Sequence, residues 1–342
     1  MTVKFRLLIV AALLICCSVC VSAQTAGETF NLGLENYRKK NYEAAISSFQ
    51  LAVRLDRKLH EAYFYLGNCY FHLKKYPAAI EAYSTATRVK PDYFEAVMAL
   101  GQALNKSWEP KNAANVFELA VYMQPNSAAA HFELGWTRLS LKNFTGAIES
   151  FERALRLESN YAKAHLGLGA YYRNINRLNE AETALKKALA LDETLADAHR
   201  ELGAVYELMF REPSATEKYK EAVRLNPDDA EANFALGNIY FNRAEYRTSL
   251  PYYKKAAAEN PKSTGVAVRL GNNYFELRDY RTAAPIYERV LHGDAKNVVA
   301  LYALGMCYVN LKNKPAARRQ YEKLKTLNEI LAGELLKAIG EK

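Results

Sequence analysis

Hydrophobic and polar positions follow one another along this chain in a pattern that repeats every 34 residues. A leucine followed directly by a glycine marks each of nine repeats, and no member of the series is displaced. Self-similarity at a fixed period of this length indicates an array built from one supersecondary unit. The glycines, which we expect to be structural, are Gly33, Gly67, Gly101, Gly135, Gly169, Gly203, Gly237, Gly271 and Gly305.

Within each period the apolar positions have the spacing of two short helices. The leucine before the glycine and a large residue three positions after it lie on one helical face. A polar break follows, and then small residues 12 and 19 positions after the glycine accompany an aromatic residue or leucine at 16 positions. This i, i+4, i+7 spacing indicates a second helix. The pattern therefore predicts a hairpin in which glycine and alanine allow close approach and the large residue fills the remaining space.

Two prolines depart from the pattern. In most repeats proline occurs only at the start of the second helix or just beyond its end, where it is tolerated. Pro251 and Pro285 instead fall further inside the second helices of repeats 7 and 8. We expect late helix starts or bends at these places.

The Leu-Gly pair, the aromatic residue that follows it and the Ala, aromatic and Ala positions of the second helix resemble the tetratricopeptide repeat (TPR) family. The resemblance covers residues 26–331. It implies an all-α fold, a right-handed superhelical solenoid of about nine antiparallel helix pairs with a C-terminal capping helix. The expected repeats are 26–59, 60–93, 94–127, 128–161, 162–195, 196–229, 230–263, 264–297 and 298–331, followed by a cap at 332–342.

The residues after Asn328 predict the capping helix. Their apolar side chains recur on one helical face, which we expect to cover the last core layer. These residues are Ile330, Leu331, Leu335, Leu336 and Ile339.

Residues 1–23 have the organisation of a secretory signal peptide. Two basic residues precede an apolar run from Leu7 to Val21, and the small residue Ala23 precedes a polar segment. We expect cleavage after Ala23 and export to the periplasm, the cell envelope or the exterior. A retained anchor is the alternative, although about 20 apolar residues are needed to span a bilayer. The cysteines of the run lack the small preceding residue of a lipoprotein signal, so we expect neither lipidation nor stable membrane insertion after cleavage.

Net charge and cysteine positions bear on two questions, whether the chain binds nucleic acid and whether it forms a disulfide. The formal net charge of +9 is modest for 342 residues, and its signs alternate along the chain. A nucleic-acid-binding protein more often concentrates its basic residues in one patch, so we expect no nucleic-acid partner. Cys69 and Cys307 lie seven repeats apart, too far for a disulfide. We expect both to be buried free thiols.

The resemblance implies that the first helix of each hairpin lines a concave groove. The free positions of that helix lie six and three residues before each glycine and one, four and five residues after it. Asparagine amides there can pair with a bound peptide backbone, and flanking rings supply apolar contact area. The alternative is that these side chains pack between neighbouring first helices. The candidate groove residues are Phe64, Asn68, Phe71, Met98, Gln102, Phe132, Trp136, Arg173, Arg200, Phe234, Asn238, Phe241, Asn272, Phe275 and Tyr302.

The sequence contains no motif for catalysis or for cofactor binding. It has no phosphate-binding glycine loop, no nucleophile elbow and no His-Glu-x-x-His. His131, His165 and His199 stand four residues before successive glycines, but stacking separates them by roughly 8–10 Å, too far to share one metal ion. We therefore expect no metal, no cofactor and no enzymatic activity.

These features favour a non-enzymatic interaction scaffold that binds a protein or peptide partner. Two other functions stay open at this point. One is an assembly or chaperone-like factor for envelope polymers or secretion machinery. The other is a regulatory subunit of a complex whose catalytic chain is separate.

Overall fold

The computed structural model describes residues 25–340, and in this range the chain forms 19 α-helices and no strands. The predicted all-α class is confirmed, whereas the predicted signal peptide at residues 1–23 lies outside the described residues. The helices are α1 (Ala26–Arg38), α2 (Tyr42–Leu55), α3 (His60–His72), α4 (Tyr76–Val89), α5 (Phe94–Lys106), α6 (Pro110–Met123), α7 (Ala128–Ser140), α8 (Phe144–Leu157), α9 (Ala162–Asn174), α10 (Leu178–Leu191), α11 (Ala196–Leu208), α12 (Glu212–Leu225), α13 (Ala230–Asn242), α14 (Tyr246–Glu259), α15 (Thr264–Glu276), α16 (Tyr280–Gly293), α17 (Val298–Asn310), α18 (Lys314–Lys325) and α19 (Glu329–Ile339).

The chain divides into two compact units, the first ending at Gly167 and the second beginning at Leu168. In the first unit α1–α2, α3–α4, α5–α6 and α7–α8 form hairpins, and the first helices of successive hairpins also touch. In the second unit the hairpins are α11–α12, α13–α14, α15–α16 and α17–α18, and α19 packs against α17 and α18. Each unit is thus built of consecutively packed helix pairs, as the 34-residue period predicts.

The repeated glycine marks the closest approach of the two helices in a hairpin. A Cβ atom at Gly67 would lie 2.6 Å from the ring of Tyr83, the large residue 16 positions later. The large residue 16 positions later takes this place in each of the first eight repeats, with Leu185 instead of an aromatic ring in repeat 5. Because packed cores do not tolerate contacts this short, only glycine lets the ring rest on the helix backbone. In the last repeat the neighbour is different, since a Cβ atom at Gly305 would lie 2.5 Å from the side chain of Leu335 in α19.

A three-residue turn joins the helices of each hairpin, and its middle residue has a positive φ. In repeat 2 the amides of Lys74 and Lys75 donate to the carbonyls of Phe71 and Tyr70 at 2.9 and 2.8 Å. This is the Schellman motif, which usually has glycine at the left-handed position. Here that position has φ of 57–64° without a single glycine. Its occupants are Lys40, Lys74, Trp108, Lys142, Asn176, Phe210, Ala244, Arg278 and Lys312.

Pro251 and Pro285 lie inside α14 and α16 without delaying the start of either helix. Both helices begin nine residues after the repeat glycine, at Tyr246 and Tyr280, as other second helices do. The predicted late start is therefore wrong. Both proline side chains are exposed, so the backbone hydrogen bond that each one removes lies on the side where water can replace it.

The terminal helix α19 closes the second unit with one buried face. Ala332, Leu335 and Ile339 are buried, and the side chain of Asn328 caps the helix by accepting a hydrogen bond from a backbone amide. The expectation that Ile330 shares this face is wrong, because Ile330 is 77% exposed. It precedes Ala332 by two residues and therefore points roughly 200° away around the helix.

Cys69 and Cys307 are buried free thiols, as predicted. Burial raises the pKa of each to about 12, so both behave as small apolar side chains of the core. None of the helices between residues 25 and 340 has both the length and the apolar character required to cross a bilayer.

Candidate binding surface on the first helices

The predicted groove residues lie on the first helices of the hairpins. We call the surface formed by positions six and three residues before each glycine, and one, four and five residues after it, the first-helix stripe of each unit. Among the predicted residues Gln102 is exposed, Phe132 is 9% exposed and the others are half-buried. Most of these side chains therefore contact protein on one side and remain accessible on another.

In the first unit the phenylalanines of the stripe pack against tyrosine rings. The ring centroid of Phe64 lies 5.2 Å from that of Tyr93 and 5.9 Å from that of Tyr83. Phe71 meets Tyr76, the first residue of α4, edge to face at 5.5 Å. These contacts restrict the rotamers of the two phenylalanines, so their rings form an ordered apolar part of the stripe.

Asparagine one residue after the glycine accepts a hydrogen bond from the tyrosine that packs on that glycine. In repeat 2 Tyr83 Oη donates to Asn68 Oδ1 at 2.7 Å. Burial raises the pKa of Tyr83, and a buried hydroxyl needs a partner. The Asn68 Nδ2 group donates to no described residue and so leaves its N–H bonds on the stripe. The equivalent bonds are Tyr253 to Asn238 at 2.8 Å and Tyr287 to Asn272 at 2.7 Å.

This bond explains why asparagine and tyrosine occur together in repeats 2, 7 and 8. Repeats 1, 3 and 4, which have phenylalanine at the 16-residue position, have Leu34, Gln102 and Trp136 in place of asparagine. The phenylalanine four residues after the glycine has a structural role too, since Phe241 contacts Tyr246 at 5.2 Å in the same way as Phe71 contacts its tyrosine. In repeats 2 and 7, where the stripe has Phe, Asn and Phe three residues before, one after and four after the glycine, part of this set therefore stabilises the hairpin.

Uncharged amide donors also link neighbouring first helices of the first unit. Gln102 on α5 donates to Glu133 on α7 at 2.8 Å, and Asn105 donates to Thr137 Oγ1 at 2.7 Å. Burial raises the pKa of the Glu133 carboxyl above its ordinary value, and the hydrogen bond from Gln102 opposes this effect. At Gln102 the stripe residue thus bonds to the next first helix, as the packing alternative predicts.

Charged side chains make the corresponding links in the second unit. Arg173 Nε donates to Glu201 at 2.8 Å, and the Glu201 side chain is only 7% exposed. Burial by itself would lower the pKa of Arg200, but the carboxylates around it raise that pKa. Both arginines are therefore engaged with carboxylates of their own unit. The ion-pair partners of Arg200 include Asp197 at 3.0 Å, Asp229 at 3.3 Å and Glu231.

In the first unit, Phe132 contacts Trp136 at 6.1 Å and Met98 packs against the apolar core. The other predicted residues lie in repeats 7 to 9 of the second unit. Phe234 contacts the buried ring of Tyr253 at 5.9 Å, and Phe275 meets Tyr280 edge to face at 5.1 Å. Tyr302 packs against the apolar cluster that α19 completes. Aromatic packing thus returns in these repeats, with the same residue pairs as in repeat 2.

Two glutamates of these networks escape prediction from the sequence. Glu133 and Glu201 stand two residues before their glycines, a position that has no place in the stripe pattern. Three other repeats have alanine there, namely Ala99, Ala235 and Ala303. The other four repeats have Asn31, Tyr65, Gly167 and Arg269 there, so the repeat pattern contains no signal that singles out the two glutamates.

The three histidines secure the turns between repeats. Each places Nε2 close to a carbonyl oxygen of the turn that precedes its helix, which supports a structural role. The pairs are His131 with Pro125 at 3.0 Å, His165 with Ser159 at 3.2 Å and His199 with Glu193 at 3.0 Å. Within the described part of the chain, no group of three or more His, Cys, Asp or Glu residues could hold a metal ion.

Models of the tetratricopeptide repeat match most of the chain. They match residues 30–59, 60–93, 230–263 and 268–328, and a TPR repeat model matches 137–174, 172–209 and 213–243. Comparison with curated protein sequences gives no match.

Among solved structures, PilF of Pseudomonas aeruginosa is 21% identical over 61% of this chain and 96% of its own, with a TM-score of 0.54. A chain of the APC/C hetero-tetramer Cut9–Hcn1 is 15% identical over 92% of this chain and 76% of its own, with a TM-score of 0.58. These two similarities show a shared fold of stacked helix pairs. The chain belongs to the tetratricopeptide repeat family.

Proposed function

We propose that this chain is a non-enzymatic interaction scaffold, exported to the cell envelope or exterior, which binds a segment of a partner protein along its first-helix stripes. Tetratricopeptide repeat proteins bind protein or peptide partners, and repeats of this type extend over most of the chain. The basic start, apolar run and small residue of residues 1–23 support the export part of the proposal.

The oriented asparagine of the stripe is the observation that carries this proposal. The Tyr83 hydroxyl holds Asn68 through Oδ1, so that the Nδ2 group remains available for a partner. Half-buried Phe64 and Phe71 lie on either side of it, one helical turn away along α3. A side chain that is already fixed loses little entropy when it binds, which favours affinity. We infer that Asn68 donates to a backbone carbonyl of the partner while the two rings contact its apolar side chains.

The charged part of the second stripe selects among partner sequences. Its two arginines, Arg173 and Arg200, are already paired with carboxylates. A partner segment with lysine or arginine opposite α11 would therefore be favoured, and a free carboxylate would be repelled. This disfavours recognition of a C-terminal carboxylate.

A pair of variants separates the role of Asn68 in binding from its role in the fold. Tyr83→Phe removes the internal hydrogen bond and keeps the amide, whereas Asn68→Ala with Tyr83→Phe removes both groups and leaves no buried hydroxyl without a partner. Repeats 1, 3 and 4 already combine phenylalanine with a residue other than asparagine, so we expect both variants to fold.

The partner is first captured by a photoreactive phenylalanine analogue at position 71 or 234. The same analogue at Tyr122, an 83% exposed residue of the second helix α6, is the control for chance encounters. The affinity of the captured protein is then measured for both variants. We expect the double variant to bind roughly three- to tenfold more weakly than Tyr83→Phe, the equivalent of one or two hydrogen bonds. Equal affinity, or equal capture at Tyr122, would remove the stripe as the binding surface.

A further inference from the structure

One hairpin turn of the first unit presents a large aromatic side chain to solvent. Trp108 is the middle residue of the α5–α6 turn, with a φ of 64°, and its side chain is 89% exposed. A bulky residue at positive φ is uncommon. The turn itself does not require tryptophan, because four of the equivalent turns have lysine at this position. The indole thus occupies a strained and exposed position at which the hairpin does not require it.

The turns on the same edge of the first unit are strongly basic. The first helices α1, α3, α5 and α7 contact one another in sequence, so the turns that follow them lie along one edge. These four three-residue turns contain five lysines and a single acidic residue, Glu109. We call this surface the turn edge; its tips are Lys40, Lys74, Trp108 and Lys142.

The opposite edge of the first unit has no such bias. The connections after α2, α4, α6 and α8 contain three basic and three acidic residues. They also contain no tryptophan, and their histidine contacts tie them to the following helices. The positive charge and the exposed indole therefore coincide on one edge, and the repeat architecture does not by itself produce this difference.

We propose that the turn edge of the first unit docks on an anionic lipid bilayer, with the indole of Trp108 entering the headgroup region. Tryptophan prefers this interface because its ring is apolar and its N–H is polar. Lysines near a surface of anionic lipid are attracted to it. A row of turn tips on one edge presents these groups towards the same side of the unit. A protein hot spot would more often be a cluster of rings in a pocket, whereas Trp108 stands alone between Ser107 and Glu109.

The second unit has a related residue in a different charge environment. Phe210 has a φ of 58° and is 95% exposed. Its neighbour Arg211 is paired with Glu182 at 3.1 Å, and Arg243 of the next turn is paired with Glu212 at 2.8 Å. Lys39 on the turn edge of the first unit is likewise paired, with Glu35, but the four turns of that unit contain five lysines and only one acidic residue. The proposal is therefore confined to the first unit, and it does not depend on partner binding along the stripes.

Vesicle binding of matched variants tests the proposal. The chain from Thr25 onward is used, because all the described helices and their cores lie within residues 25–340 and the apolar run before them would bind lipid by itself. Sedimentation with vesicles of phosphatidylglycerol and phosphatidylcholine is compared with sedimentation with phosphatidylcholine alone. Trp108→Asn is the main variant, since asparagine tolerates positive φ and Asn176 occupies the equivalent turn of repeat 5. Tyr122→Asn removes an exposed ring near the far end of α6 and is the control.

We expect binding to the anionic vesicles only. Trp108→Asn should weaken it on the order of tenfold or more, the affinity equivalent of burying one large apolar side chain. Replacing Lys40 and Lys142 together by asparagine should weaken it as well, and raising the salt concentration should do the same. Tyr122→Asn should change nothing.

Fluorescence identifies the surface that touches lipid. With Trp136→Phe, Trp108 is the only tryptophan left of the two in the chain. Its emission should shift to shorter wavelength on anionic vesicles and be quenched by brominated lipid. Unchanged emission in the bound state, equal binding to neutral vesicles, or unchanged binding of Trp108→Asn would each overturn the proposal. Binding of this edge to an acidic polypeptide but not to anionic vesicles would also overturn it and assign the edge to a protein partner.

Discussion

The first-helix stripes of the two units use the same repeat positions with different chemistry. In repeat 2 of the first unit the buried Tyr83 donates to the amide oxygen of Asn68 at 2.7 Å. In repeat 6 of the second unit the equally buried Tyr219 donates to the carboxylate of Glu207 at 2.8 Å. The glycine beneath the ring is kept in both, whereas the acceptor moves from one residue after the glycine to four residues after it.

The same substitution of charged for neutral groups extends to the links between helices. Gln102 reaches Glu133 in the first unit, and Arg173 reaches Glu201 in the second, each at 2.8 Å. Three residues before the glycine, repeat 2 has Phe64 and repeat 6 has Arg200. The contact between glycine and ring is therefore common to the hairpins of both repeats, whereas the polar side chains that bond to the ring and to the next helix differ between the units. Both networks contain a carboxyl group whose pKa is raised by burial, Glu133 in the first unit and Asp229 in the second, so the stability of each should depend on pH.

Replacing Arg200 should have the largest effect. Arg200→Leu introduces the residue that repeat 5 has at this position, but it leaves the buried carboxylate of Asp229 without its cation. Glu201 keeps its closer partner, Arg173, and loses only the more distant one. Breaking a buried ion pair in this way should cost about 3 kcal/mol, measured by urea unfolding at neutral pH. Phe64→Leu in repeat 2 is the matched change and should lose only packing energy.

The loss at Arg200 should also depend on pH. Burial raises the pKa of Asp229, and Arg200 opposes this, so the variant raises it further. A carboxyl whose folded pKa exceeds the unfolded value contributes stability at acid pH and loses it as pH rises through the folded pKa. The deficit of Arg200→Leu should therefore shrink near pH 4. Adding Asp229→Asn, which can still cap α13, should recover part of the lost stability at pH 7. A loss of stability that does not change with pH would show that the ion pairs of Arg200 are not its cause.

Valine at the repeat glycine should damage both units alike. A Cβ at Gly67 or Gly203 would lie 2.6 or 2.8 Å from the tyrosine ring of its repeat. Overpacking of this kind costs about 1–3 kcal/mol. Gly265→Val, where nothing lies within 4 Å of a Cβ, is the control. Hydrogen exchange should show the damage centred on the altered repeat and its neighbours, since each repeat contacts only those; uniform loss along the chain would contradict this.

The helix pairs and their glycine contacts were predictable because they recur with the period. The partners of the stripe residues were not, since Asn68 and Tyr83 are 15 residues apart and meet only through the packing of α3 on α4. Arg200 draws its carboxylates from three segments, α11, the turn before α13 and α13 itself. The positive φ of the hairpin turns could not be predicted either. Glycine would have indicated it, but these positions have residues such as lysine, tryptophan and phenylalanine.

Removing the asparagine of repeat 2 should lower the stability of the protein moderately. Replacing its tyrosine partner as well should restore most of that stability. Asn68→Ala leaves the buried hydroxyl of Tyr83 without an acceptor and should cost about 1–2 kcal/mol. Asn68→Ala with Tyr83→Phe should regain most of this, because both polar partners are then gone. Glu207→Ala with and without Tyr219→Phe repeats the cycle in repeat 6. Thermal melting of these four variants and of the single variants Tyr83→Phe and Tyr219→Phe measures both couplings. An absence of rescue in repeat 2 would show that the hydrogen bond does not stabilise the hairpin.

The smallest change in stability is expected for the two glutamates that stand two residues before their glycines, half-buried Glu133 and buried Glu201. Burial raises the pKa of Glu133, whose partner Gln102 is neutral, so its charged form weakens the folded state at neutral pH. Glu133→Gln can still accept from Gln102 and should therefore stabilise the protein by up to about 1 kcal/mol near pH 7, with the gain disappearing below about pH 4. Glu201→Gln should have the opposite sign, because it removes the charge that faces Arg173. Exposed Glu95→Gln on α5 is the control for the loss of one negative charge. If Glu133→Gln and Glu201→Gln change the unfolding midpoint in the same direction, the difference between an uncharged and a charged hydrogen-bond donor does not explain how the two stripes are stabilised.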